Sequence, residues 1–204
     1  PLIQAHVKQC HASGACPIRT HSKRGGVTKC VNGKAGEYPC DGVDMVSFLS
    51  IGAMGGGDEG NDIWGWTDEK TGAEWAVVGL TDGTSFVDIS DAENPKAVAF
   101  LPTQTSASTW RDVKVYKGHA YVVSEARNHG MQVVDMRKLG ALSAAAAVGA
   151  APATIAADVV YTEFGNSHNI VINEQTGFGY SVGTQTCSGG LHMIDLKDPA
   201  NPTF

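Results

Sequence analysis

Along its hydrophobic and polar positions the chain repeats one figure three times. Residues 74–88 (EWAVVGLTDGTSFVD), 119–135 (HAYVVSEARNHGMQVVD) and 178–195 (FGYSVGTQTCSGGLHMID) each hold a short apolar run, a polar turn containing glycine, and a second run closed by an aspartate. The closing residues Asp88, Asp135 and Asp195 stand 47 and 60 residues apart. Two units continue into Asp91-x-x-Asn94-Pro95 and Asp198-x-x-Asn201-Pro202, where Asx side chains and proline favour a reversal of the chain. Residues 84–89 alternate, with Phe86 and Asp88 opposite Val87 and Ile89. By contrast, Ala76-Val77-Val78 and Tyr121-Val122-Val123 are continuous, as strands covered on both faces are.

A further strand precedes each figure. Anchoring on the turn glycines Gly72, Gly118 and Gly177 sets Ile63-Trp64-Gly65-Trp66 beside Arg111-Asp112-Val113-Lys114 and His168-Asn169-Ile170-Val171. Residues 96–101 supply a fourth strand to the first unit. Four short strands per unit of about 45–50 residues is the period of propeller blades rather than of helical solenoids. The expected fold is therefore all-β: three four-stranded β-propeller blades in an incomplete ring, at about residues 61–102, 109–162 and 165–204 of a domain over 41–204. A sandwich accounts for the strands but not for the repeated closing motif. Residues 139–157 are rich in alanine and read as a short helix and loop inserted at the edge of the second unit, or as a low-complexity spacer.

Residues 1–40 form a separate, cysteine-rich segment holding Cys10, Cys16, Cys30 and Cys40. A small, polar, glycine-rich stretch buries too little apolar surface to fold alone, and an even cysteine cluster there reads as two disulfides. Asn32-Gly33 and Ala35-Gly36 permit a tight reversal between Cys30 and Cys40, which favours that pair and leaves Cys10 with Cys16. Zinc is the alternative, with His6, His11 and His21 interspersed. The ligand spacings Cys10-x5-Cys16 and Cys30-x9-Cys40 fit a structural zinc site poorly. Cys187 is either a free thiol or the partner of a cysteine outside this chain.

Charge divides the same way. Residues 1–40 carry six Lys or Arg against Glu37, a net of +5, and the remainder carries nine bases and twenty acids, a net of −11. The basic arm suits docking on the acidic body, on another copy or on an anionic polymer. An acidic folded part without basic–aromatic interleaving argues against nucleic acid. No stretch approaches the roughly 20 apolar residues of a membrane helix, so no membrane insertion is expected within this chain.

Several blocks resemble the choice-of-anchor B family of surface proteins. They are Tyr38-Pro-Cys-Asp-Gly-Val-Asp-Met-Val-Ser-Phe-Leu, Asn61-Asp-Ile-Trp-Gly-Trp-Thr-Asp, Gly83-Thr-Ser-Phe-Val-Asp-Ile-Ser-Asp, Trp110-Arg-Asp-Val-Lys-Val-Tyr, Gly165-Asn-Ser-His-Asn-Ile-Val-Ile-Asn and Cys187-Ser-Gly-Gly-Leu-His-Met-Ile-Asp-Leu. The resemblance spans about residues 30–204 and implies LVIVD-type propeller repeats and an extracellular or cell-surface location. It transfers no catalytic residue. It also implies further blades beyond these three, and a cysteine there as the partner of Cys187.

In a propeller the first strand of each blade lines the central channel. The alignment brings Asp62 and Trp64, Arg111 and Asp112, and His168 and Asn169 to one funnel mouth as a candidate ligand site. His168 has the chemistry of an acid–base, Asp62 or Asp112 of its partner, and Arg111 of an anion clamp. The competing expectation is that these groups satisfy one another around a water-filled channel. No nucleophile motif is present, and the lone histidines His119, His129 and His192 read as structural. No cofactor is implied beyond a weak calcium signal near Asp58 and Asp62, in a glycine-rich loop that matches no twelve-residue calcium motif.

The expected function is that of a non-enzymatic binding or structural module for protein or glycan partners. The alternative is a propeller hydrolase or lyase around His168, Arg111 and Asp112. Three blades do not close a ring, since propellers use roughly four to eight. The open faces are thus expected to be covered by remaining blades of a longer protein or by other copies of the chain.

Overall fold

The structure, a computed structural model, describes Gln9, Ala12, Ser13 and residues 20–204. The Cys10–Cys16 pairing, with His6 and His11, lies outside the described residues. Those described are mostly β, with one short α-helix and four sheets of two to five strands. No helix among them is long and apolar enough to cross a membrane.

Strands β1 (Lys34–Ala35) and β2 (Tyr38–Pro39) form a hairpin inside the loop closed by the Cys30–Cys40 disulfide. Asn32, Gly33 and Gly36 all adopt positive φ there, so the reversal read from the sequence is what brings the two sulfurs together. Next come β3 (Gly60–Thr67), β4 (Glu74–Leu80), β5 (Gly83–Asp88) and β6 (Lys96–Pro102), an antiparallel meander. A second meander holds β7 (Arg111–Tyr116), β8 (His119–Ser124) and β9 (Met131–Asp135).

Helix α1 (Leu139–Ala145) follows, then β10 (Ala153–Thr154), and β11 (Val159–Tyr161) completes the second sheet beside β9. A third sheet contains β12 (Asn169–Asn173), β13 (Phe178–Val182) and β14 (His192–Asp195), with Thr203 bridging Asp195 at its edge.

The closing motif has a local cause. Each closing aspartate accepts at Oδ1 from the backbone N–H two residues on: Ser90 to Asp88 at 2.9 Å, Arg137 to Asp135 at 3.1 Å and Lys197 to Asp195 at 2.9 Å. These Asx turns end the third strand of each sheet at the same point. Asp91 and Asp198 repeat the device one turn later, accepting from the side-chain amides of Asn94 and Asn201.

The sheets stack face to face. Trp75, Val77, Phe86 and Leu101 of the first meet Val113, Val115, Ala120, Val122 and Val134 of the second. Tyr121, Val123, Met131 and Val133 on the other face of the second meet Ile170, Ile194 and Leu196 of the third. Tyr121, Val122 and Val123 are wholly buried, which accounts for their unbroken apolar run. Each such side chain removed from water contributes about 1.5–3 kcal/mol before entropy is subtracted. The outward face of the first sheet, with Ala76, Val78 and Val87, is covered by Leu49, Ile51 and Met54 of the preceding segment.

Two expectations are corrected. The alanine-rich insert is not confined to the second unit's edge. Its tail, β10, pairs parallel with β6 of the first sheet. Leu142, Ile155 and Ala157 pack on the core between the first two sheets, the Ser143 hydroxyl meets Asp88, and Lys96 Nζ donates to the Ser143 carbonyl at 2.8 Å.

The glycine-anchored alignment is also displaced, by two residues in the first unit. Strand pairing sets Trp64 opposite Val77 as Lys114 stands opposite Tyr121 and Val171 opposite Tyr180. Asp62, Asp112 and Asn169 are therefore the equivalent trio. The glycine anchors mislead because the first turn spans residues 68–73 and the second only 117–118.

Candidate functional site

Strand β3 packs on β7, and β7 on β12, so the first strands of the three sheets lie side by side. Along them runs a polar cluster. The Asp62 carboxylate accepts from the Val113 backbone N–H at 3.0 Å and from Lys114 Nζ at 3.4 Å. Asp112 repeats the arrangement one sheet on, accepting from the Ile170 N–H at 2.7 Å and from Asn169 Nδ2 at 3.2 Å. Lys114 Nζ also bonds Asp112, donates to the Val113 carbonyl at 2.9 Å, and lies 4.7 Å from the centre of the Trp64 ring.

Burial raises the pKa of the Asp112 carboxyl, and the neighbouring Asp62 adds to the effect. Burial opposes ionisation of Asp62 too, but the Asp112 carboxyl, the Val113 N–H and Lys114 outweigh it and hold its pKa below the ordinary value. Of the two, Asp112 takes up a proton first. Asp62 Oδ2 and both oxygens of Asp112 face donors, so the chemistry of this cluster is that of cement between sheets.

The structure thus joins Asp62, Trp64, Asp112 and Asn169 and separates the other two candidates from them. Arg111 is 1% exposed between the first and second sheets. Its guanidinium donates to the Leu80 carbonyl at 3.0 Å, to Thr103 Oγ1 at 2.9 Å and to His129 Nε2 at 3.0 Å. Alternation along β7 puts Arg111 and Asp112 on opposite faces, so Arg111 has no anion to clamp at the Asp112 cluster. Burial pushes its pKa down to about 10, with Asp82 opposing. Because arginine only donates, His129 Nε2 accepts and its Nδ1–H points to the Gly130 carbonyl at 3.0 Å. Burial, and then Arg111, push His129 down to about 4.

His168 is surface-exposed, with Nδ1 2.5 Å from Glu125 Oε1 and its ring centre 5.9 Å from that of Trp110. The histidines read as structural are engaged as well. Nδ1 of His119 lies 3.0 Å from the Lys117 carbonyl, and His192 sits between the Tyr161 hydroxyl at 2.7 Å and Thr186 Oγ1 at 2.8 Å. Near the glycine-rich loop it is Asp82, not Asp58, that holds the backbone, accepting from the Gly57 N–H at 3.2 Å. Among the described residues no three or more His, Cys, Asp or Glu side chains converge in a way that could hold a metal ion.

Toward the C-terminal ends of β3 and β7 the surface opens into a cleft of about 520 Å³, lined by Trp64, Trp66, Tyr116, Lys117, Arg137 and Glu174 among others. Trp64 and Trp66 share one face of β3, two residues apart. Lys117 Nζ lies 5.1 Å from the Tyr116 ring centre, and Arg137 is paired with Asp135 at 2.7 Å.

Sequence reasoning missed Lys114, Glu125 and this cleft. For Lys114 a signal was present, since a residue two after Asp112 on a strand must share its face. Compared with protein families, curated proteins and solved structures, the chain matches none.

Proposed function

We propose that the three meanders are β-propeller blades of an extracellular or cell-surface protein, in keeping with the resemblance to the choice-of-anchor B family. On this reading the protein is a non-enzymatic module that binds protein or glycan partners. Face-to-face stacking with adjacent first strands supports the blade reading. The Cys30–Cys40 disulfide is consistent with an oxidising compartment.

The observation that carries the binding reading is the cleft at Trp64 and Trp66, where indole surface stands among charged side chains in an open concavity. A panel of glycans and extracellular proteins, measured by interferometry on the immobilised chain, tests it. Trp64→Ala and Trp66→Ala should each weaken the bound ligand about tenfold or more, roughly 1.4 kcal/mol, with the circular dichroism unchanged. Retained affinity in both variants overturns the cleft as the site.

The hydrolase or lyase reading keeps only the exposed His168–Glu125 pair in its support, since Arg111 and Asp112 are buried in separate surroundings. Turnover on any ester or glycoside, lost in His168→Ala, favours that reading instead.

A further inference from the structure

Among the described residues nothing packs on one face of the third sheet, and the interfaces already formed say what fits it. Three cross-strand rows are equivalent by register. The first sheet contributes Trp64, Val77 and Phe86, the second Lys114, Tyr121 and Val133, and the third Val171, Tyr180 and Met193. Val77, Phe86, Tyr121 and Val133 are fully buried, because the next sheet covers each pair. In the matching row of the third sheet Met193 is 48% and Val171 61% exposed and Tyr180 is half-buried, with Leu191 at 54%. So continuous an apolar surface is uncommon on a soluble chain.

A polar contact repeats with the apolar one. Asp62 accepts from the N–H of Val113 on the following sheet, and Asp112 from the N–H of Ile170 on the sheet after that. In both cases the donor is the residue just after the acceptor's own counterpart. Asn169 is the third member. Its Nδ2 is spent on Asp112, which leaves Oδ1 to accept as the two aspartates do.

We infer that this face seats a further meander of the same repeat, supplied from outside the 204 residues, whose first strand gives a backbone N–H to Asn169 and whose apolar face covers Val171, Tyr180 and Met193. The docking rule is continuous with the two interfaces present and does not depend on the binding function proposed above. A head-to-tail second copy is the poorer occupant. The matching face of its first sheet is already covered by Leu49, Ile51 and Met54 of its own chain.

The test compares the full chain with the same chain carrying a second copy of residues 103–162 appended to it, the meander that already fits such a face. Hydroxyl-radical footprinting reads Tyr180 and Met193, and the buried Met131 reports that the parent fold is intact. The expected result is strong labelling of Met193 and weaker labelling of the half-buried Tyr180 in the parent, both reduced several-fold in the extended chain, with the Tyr180 labelling restored there by Met193→Glu. Asn169→Ala in the extended chain should restore it in part. Undiminished labelling in the extended chain, with Met131 still protected, overturns the inference. So does a parent that is a dimer by light scattering with Met193 already shielded, which assigns the face to a second copy.

Discussion

The Asp112 carboxylate and the backbone N–H of Ile170 meet at 2.7 Å across the boundary between the second and third sheets. Asp112 is 3% exposed and holds Lys114 and the Asn169 amide at the same time. One side chain thus joins a lysine, a strand edge and the next sheet.

Asp112→Ala should therefore destabilise the protein by about 2–4 kcal/mol, because it leaves the Ile170 N–H without its acceptor and takes from a partly buried ammonium the nearer of its two carboxylates. Asp112→Asn keeps an acceptor for the N–H and should lose less. Urea denaturation of both variants checks the order, and an alanine variant within 0.5 kcal/mol of wild type, roughly the surface-substitution range, contradicts it.

Acid should weaken the contact between the first two sheets through His129. Its folded pKa, about 4, lies below the unfolded value of 6.5. The neutral form is favoured by folding, so this contribution is complete above pH 6.5 and is lost as pH falls through that value toward 4. The loss is on the order of 3 kcal/mol. His129→Gln, which keeps an acceptor for Arg111 but cannot titrate, should flatten the urea midpoint across that window. An unchanged slope assigns the acid sensitivity elsewhere.

Opening the Cys30–Cys40 disulfide should cost about 2–3 kcal/mol where its loop is concerned, the value expected for closing a loop of roughly ten residues. The segment it orders bridges Thr28 to Met45 and Lys23 to Phe48 and leads into the residues over the outward face of the first sheet. Limited proteolysis of the Cys30→Ser/Cys40→Ser variant should cut first between residues 20 and 50 and leave the three sheets intact. Simultaneous digestion of the whole chain is the contrary result.

Gly130 is the position where a methyl group should do most harm. It has φ +65°, and an added Cβ would lie 2.4 Å from the Tyr161 carbonyl oxygen. Strand β11 would have to move, and Gly130→Ala should cost more than the 1–3 kcal/mol of a strained backbone alone. Gly72→Ala is the control, with φ +73° and no neighbour within 4 Å among the described residues, and should pay only the backbone strain. Equal losses at the two sites would show that the close approach to Tyr161 does not matter.

The closing aspartates were legible in the sequence because the same side-chain-to-backbone turn recurs at Asp88, Asp135 and Asp195 and leaves a fixed residue type there. The Cys30–Cys40 pair was legible for a related reason, since its turn demands Gly33 and Gly36. The first strands were not. Their turns differ in length, so a glycine ruler slipped and Asp62 escaped its place beside Asp112. Alternation separates Arg111 from Asp112, but both are buried, so the pattern does not say which neighbouring sheet each one meets. Polar character at a strand start proved equally compatible with a buried guanidinium at Arg111 and an exposed imidazole at His168. The cleft arises where three turns far apart in the sequence come together, and it has no local signature.

The parallel pairing of β10 with β6 has a consequence for how the molecule comes apart. A chain that runs sheet by sheet in order can lose its units one at a time, as linear repeat arrays do. Here the polypeptide leaves the second sheet at β9, crosses back to stitch itself onto the first, and only then returns to finish the second at β11. Neither sheet keeps its full complement of strands if the other melts. The first two should open as one cooperative block, and the third, tied on through Asp112 and its apolar seam without any exchanged strand, should open before them at lower free energy.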